Sequence, residues 1–142
     1  MGIEQSKSSP ELPDHIRRLV KAQRDFFPKI EEELLKGRKK SCWSWYLFPT
    51  EKPGANDPRS VFVKRSEIPL LLSKTDVIVW RWLLDTLTTA ILEKGVDRVL
   101  PNRHDQGRAK FFCKLFLDCR EKPQIHKDFF FAVSDLSTAL RR

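Results

Sequence analysis

At 142 residues and 16.7 kDa the chain has the length of one ordinary domain, long enough to bury a core of its own. Hydrophobic residues make up 40% and charged residues 32%, a balance that excludes a disordered polymer, and the longest apolar run, VIVW at 77–80, falls far short of the roughly 18 residues a bilayer crossing needs. Lysine and arginine outnumber aspartate and glutamate by 27 to 19, a net charge of +8, so the expected partner is anionic: phospholipid headgroups or a phosphorylated, nucleotide-like ligand ahead of nucleic acid.

The chain opens MGIEQSKSS, in which Gly2 and Ser6 satisfy the M-G-x-x-x-[ST] signal for N-myristoylation and Lys7 follows. Residues 1–13 read as a polar, flexible leader closed by Pro10 and Pro13, and 14–142 as a single helical domain. Asp14 is placed to cap an amphipathic helix over 15–27, with Ile16, Leu19, Val20, Phe26 and Phe27 mainly on one face and Arg17, Arg18, Lys21 and Arg24 elsewhere. Pro28 is suited to begin a second helix, acidic through 31–33 and stopped by Gly37.

The stretch KGRKKSCWSWYLFPTEKPG, 36–54, sets four aromatics directly after a basic run. Short, aromatic and bounded by proline, residues 42–48 fit an extended segment as well as a helix. If extended, Trp43, Trp45 and Leu47 face the core while Cys42, Ser44 and Tyr46 face outward, leaving Tyr46 the more available ring. After the turn-rich TEKPGANDPRS, Ser66 is placed to cap a short helix through Leu72. Asp76 can cap the central helix, whose Trp80, Leu83, Leu84, Leu87 and Ile91 recur at helical spacing until Gly95 ends it. Asp105 is positioned to cap another helix through Cys119, and Phe129, Phe130, Val133, Leu136 and Leu140 mark the last. The fold class is therefore all-α, about six helices with one possible extended segment at 42–48.

Three blocks, AQ at 22–23, LLKGRKKSCWSWYLFP at 34–49 and HDQGRAKFFCKLF at 104–116, resemble a mainly bacterial family of small uncharacterised proteins, a domain of unknown function sometimes mislabelled calpastatin. The resemblance spans roughly 15–135, and its most specific motif is Gly37, Arg38, Lys39, Trp43, Trp45, Phe48 and Pro49. This chain departs from the family pattern at Cys42, where the family has His, at Thr50, where it has Gln, and at Phe111 and Phe112, which replace a small polar pair. The resemblance implies the fold and no settled activity.

No catalytic signature is present: G-x-S-x-G, a phosphate-cradling glycine loop and HExxH are all missing, and the cysteines, Cys42, Cys113 and Cys119, form no CxxC or zinc spacing. An odd number of unpaired thiols fits a reducing, cytoplasmic setting, and neither metal nor cofactor is implied. Cys42 beside Lys40 is expected to be a buried, inert thiol, and His104 and Asp105 with Arg103 and Arg108 a helix start with solvated neighbours. The first functional expectation is a cytoplasmic, membrane-peripheral interaction or adaptor domain, tethered through acylated Gly2 and basic side chains, with a protein partner. The second is an enzyme or sensor of a nucleotide-like anion, held by Arg38, Lys40, Trp43, Trp45, Tyr46, Asp105 and Arg108. The third is a nucleic-acid binder.

Overall fold

Hydrophobic residues at intervals of three and four dictate most of the architecture. The structure, a computed structural model, describes residues 12–51 and 61–142, so Gly2, Ser6 and Lys7 of the leader and most of the turn-rich loop lie outside the described residues. Seven α-helices occur among the described residues, with no strand: α1 (Asp14–Leu35), α2 (Ser44–Leu47), α3 (Ile68–Lys74), α4 (Val77–Lys94), α5 (Val96–Val99), α6 (Arg103–Leu117) and α7 (Lys127–Leu140). Short 3-10 turns at Arg65–Glu67 and Gln124–His126 lead into α3 and α7.

The all-α expectation holds; the expected helix start at Pro28 and the expected caps at Asp14 and Ser66 do not, and the open choice at 42–48 falls to helix. Helix α1 runs unbroken through Pro28 rather than restarting there. Proline supplies no N–H to the preceding turn, but Phe27 and Ile30 on either side are buried in one core and keep both halves on one axis. Residues 42–48 are not extended: α2 is a single helical turn, with Phe48 N–H on the Ser44 carbonyl at 2.8 Å. Ser66 does not cap α3; Glu67 accepts from the Lys64 N–H at 2.9 Å. That same carboxylate lies 2.7 Å from His15 Nε2, and His15 stacks on Phe62 with centroids 4.1 Å apart, tying the start of α1 to the segment that leads into α3.

Helix α4 is the central element, packed against α1, α5 and α7, while α7 also packs on α6. Asp76 caps it, accepting from Val79 N–H at 3.2 Å, and Gly95, at φ 94°, ends it in a conformation that favours glycine. Trp80 projects from α4 into an aromatic cluster, with ring centroids 4.8 Å from Phe129, 5.8 Å from Phe116 and 5.9 Å from Phe112. Such tilted and edge-to-face pairs add about 0.5–1.5 kcal/mol each beyond area burial. The Trp80 indole N–H is satisfied by the Leu47 carbonyl at 3.1 Å, which fastens the aromatic segment to the central helix. Leu83, fully buried beside this cluster on α4, tests the core: Leu83→Ala is expected to cost about 2–5 kcal/mol in chemical denaturation, with the helical circular-dichroism signal retained.

Candidate functional site

The inner face of α1 carries two polar residues among its apolar ones, Gln23 and Glu33, both buried. Each is bonded by the segment that follows the helix, and Gln23 also by Thr75 at the end of α3. Gln23 donates to the Tyr46 carbonyl at 2.9 Å and accepts from the Thr75 hydroxyl at 2.5 Å. Glu33 accepts from the backbone N–H of Lys40 at 2.6 Å and of Ser41 at 2.9 Å, from the Trp43 indole N–H at 2.8 Å, and from the Ser41 hydroxyl.

The chain reaches this carboxylate because α1 stops abruptly. Gly37 adopts φ 80°, its N–H bonds to the Leu34 carbonyl at 2.9 Å, and the Arg38 N–H bonds to the Glu33 carbonyl at 3.2 Å. This paired closure reverses the backbone, so residues 39–43 return past the Glu33 side chain. Lys39 N–H then bonds the Val99 carbonyl at 2.8 Å. Burial pushes the Glu33 carboxyl up, but the Ser41 hydroxyl, the two backbone donors and the Trp43 indole together outweigh it and hold its pKa down from 4.5 to about 2.

A second buried carboxylate completes the arrangement from α6. Asp105 receives the Lys39 ammonium at 3.0 Å on one oxygen and the Ser44 hydroxyl at 2.8 Å on the other. It does not cap α6; the cap is Asn102, whose side chain accepts from His104 N–H at 2.8 Å, and the helix starts at Arg103. Lys39 also donates to the Ser41 carbonyl at 2.5 Å and sits 5.0 Å from the Trp43 ring centroid. The sequence blocks at 34–49 and 104–116 therefore meet through Lys39, Ser44 and Asp105 and through the Phe48–Phe112 contact at 5.9 Å, and Arg108 donates to the hydroxyl of Thr50, just past the first of them, at 3.3 Å.

The expected ligand-binding residues part company here. Trp43, Tyr46, Asp105 and Arg108 lie on the two segments that meet, but Trp43 is fully buried, and Tyr46, expected to be the available ring, is buried and stacked on Phe26 with centroids 4.6 Å apart. Helical rather than extended geometry is the reason: at α2 spacing Tyr46, Leu47 and Phe48 all turn inward, and Trp45 is the half-buried ring, edge-on to Tyr46. Lys40 presents its backbone to Glu33 and its side chain to solvent, while Arg38 lies apart, in a groove with Lys94 and Arg98. Phe112 joins the core; Phe111 is exposed. Cys42 is exposed, not buried as expected, because the bend at Ser41 and Cys42 points it outward as Trp43 turns in. Cys113 is the inert thiol, pushed by burial to about 12, with Arg141 pulling slightly the other way.

Sequence reasoning missed Gln23, Glu33, Lys39 and Ser44 as a set. Glu33 reads as one of three consecutive acids and Lys39 as one of three consecutive cations; only the helical phase of Glu33, next to buried Leu34, sets it apart. Chemically the arrangement is a lock: both buried carboxylates are occupied by internal donors, and the aromatic rings around them pack against the core.

Residues 13–62 match a family described as "Protein of unknown function (DUF1810)". No curated protein and no solved structure matches the chain. The DUF1810 match spans all of α1, the Gly37 closure and α2, and so contains Gln23, Glu33, Lys39 and Ser44; the block at 104–116, with Asp105, lies outside it. The resemblance read from the sequence thus rests on a family whose description carries no activity.

Two outcomes test the lock. Because the Glu33 carboxyl is depressed, its contribution to stability is fully present above pH 4.5 and is lost as pH falls toward 2; a denaturation series across that range is expected to show this loss, and Glu33→Gln to flatten it while costing about 1–3 kcal/mol at pH 7. In the native protein a thiol reagent is expected to label Cys42 at once and to leave Cys113 and Cys119 protected until denaturant is added, read by mass spectrometry.

Proposed function

We propose that the chain is a membrane-peripheral interaction domain, tethered through N-myristoylation of Gly2 and aided by its basic surface. The observation that carries this reading is the Met1-Gly2 start with Ser6 at the required position, ahead of a polar leader. A single myristoyl chain binds a bilayer with an association constant of only about 10⁴ per molar, so stable residence needs a second contribution. Basic side chains are suited to it: Arg17, Arg18, Lys21 and Arg24 are all exposed on the first turns of α1, next to the leader, and a cation near an anionic leaflet contributes on the order of 1 kcal/mol. Arg17 and Lys21 share their charge with Asp14 and Asp25, which tempers the attraction.

Other features are consistent with an adaptor rather than an integral role. No helix among the described residues is long and apolar enough to cross a membrane. Trp43, Tyr46 and Phe48 of the aromatic motif are buried as scaffold, while Arg38 and Lys40 beside them are exposed. In protein isolated from its own cells, intact mass is expected to show loss of Met1 and gain of one myristoyl group, with Gly2→Ala unmodified and shifted from the membrane to the soluble fraction. An unmodified Gly2 overturns the reading.

A further inference from the structure

A groove of about 430 Å³ opens at the far end of α1 from the leader, where the closing turn of α1 meets the end of α4 and α5. Its walls are Lys36, Arg38, Lys94 and Arg98, with Asp97 the one acidic residue and Gly37 and Pro101 between. All four cationic side chains are exposed. Lys36 reaches Glu32 at 3.7 Å, and Asp97 accepts from Gln106 at 2.9 Å; Arg38, Lys94 and Arg98 make no salt bridge among the described residues.

Two explanations compete for these cations. Cations at helix C-termini complement the backbone dipole, and Lys36, Lys94 and Arg98 all stand at such ends. The carbonyls there are nevertheless taken by backbone donors: Gly37 N–H on Leu34, Arg38 N–H on Glu33, Gly95 N–H on Ile91 and Leu100 N–H on Val96. The side-chain charges are left over. They are also brought together by a specific device: the Lys94 ammonium lies against Gly37, where a Cβ would overlap it, so the residue whose φ of 80° ends α1 also admits a cation between Lys36 and Arg38. Lys36 has Glu32 within 3.7 Å, but Arg38, Lys94 and Arg98 share the groove with Asp97 alone and repel one another, and an anion with several oxygens relieves that repulsion.

We propose that this groove binds a phosphate monoester or pyrophosphate group, with Arg38 and Arg98 gripping pairs of oxygens and Lys94 supplying a point charge at the Gly37 turn. The chemistry is common to a soluble phosphorylated molecule and to a lipid bearing a terminal phosphate. The groove includes no leader residue and does not depend on acylation of Gly2.

The test uses the full chain produced without an acyltransferase. Pyrophosphate is titrated while backbone amide resonances are followed, and binding to phosphatidylcholine vesicles with and without phosphatidic acid is measured by sedimentation. Saturable pyrophosphate binding with shifts at residues 36–38 and 94–100, weakened about tenfold or more by Arg38→Gln or Arg98→Gln, supports the site with a soluble ligand. Binding only to phosphatidic acid vesicles, weakened by the same variants, supports it with a lipid. Each variant alone is expected to melt no lower than the parent, since it removes a repelling charge, which separates lost binding from lost folding. Absence of binding to both probes, or binding unchanged in Arg38→Gln/Arg98→Gln, overturns the proposal and leaves the Gly2 reading untouched.

Discussion

The buried carboxylate of Glu33 is the constraint on which the first half of the structure depends. Removing an ionised carboxyl from water is costly unless donors replace the lost hydration, and four donors from three residues do so here. Those donors come from Lys40, Ser41 and Trp43, so the carboxylate can be satisfied only if the chain turns back at Gly37 and curls tightly around it. A segment whose amides at 40 and 41 point at one carboxylate cannot run as a strand, and the aromatic residues that follow are delivered into a helical turn. Gln23, nearly three turns earlier on α1, holds the end of that turn by the Tyr46 carbonyl.

With the segment fixed, the rest of the core closes over it. Trp80 of the central helix donates to the Leu47 carbonyl and spreads its ring over Phe112, Phe116 and Phe129, so the same residue joins α2, α6 and α7. The polar layer and the aromatic layer meet at α6, which supplies Asp105 at its first turn and Phe112 two turns later. Lys39 is the bridge between layers: its ammonium lies between Asp105 and the Trp43 ring. Breaking such a buried pair from one side strands a charge, whereas an apolar pair of the same shape need not be less stable, so its contribution is to register α6 against the turn as much as to overall stability.

What was legible in the sequence follows from the range of the interactions involved. The central helix announces itself because Trp80, Leu83, Leu84, Leu87 and Ile91 repeat on one face and Asp76 and Gly95 bound it, all local signals. The ends of α1 and α6 are harder: Pro28 signals a start that buried neighbours override, and Asp105 resembles a cap although Asn102, three residues earlier, takes that role. The aromatic segment stays undecided between helix and strand in the sequence because its conformation is set by Glu33, ten residues before Trp43, and by Asp105, 61 residues after Ser44. Residue type shows that Trp43 and Tyr46 belong together with Asp105 and Arg108; it does not show that they meet as core. Cys42 is misread for the same reason, since an outward bend is a property of the turn and not of the thiol.

This arrangement also changes how the positive charge of the chain is expressed. Two of its acids, Glu33 and Asp105, are withdrawn into the interior, and of the cations flanking them only Lys39 follows. In the basic run at 38–40 the alternation of environment is complete: Arg38 and Lys40 face solvent while Lys39 is buried. The lock therefore sorts one contiguous basic run into a structural cation and two exposed ones, and the closing turn at Gly37 delivers Arg38 to the side where α4 and α5 end in Lys94 and Arg98. A net charge of +8 spread evenly would give a diffuse field with little selectivity. The turn that satisfies Glu33 instead sets Arg38 beside Lys94 and Arg98, so the closure of α1 and this local basic groove are two consequences of one glycine and one carboxylate.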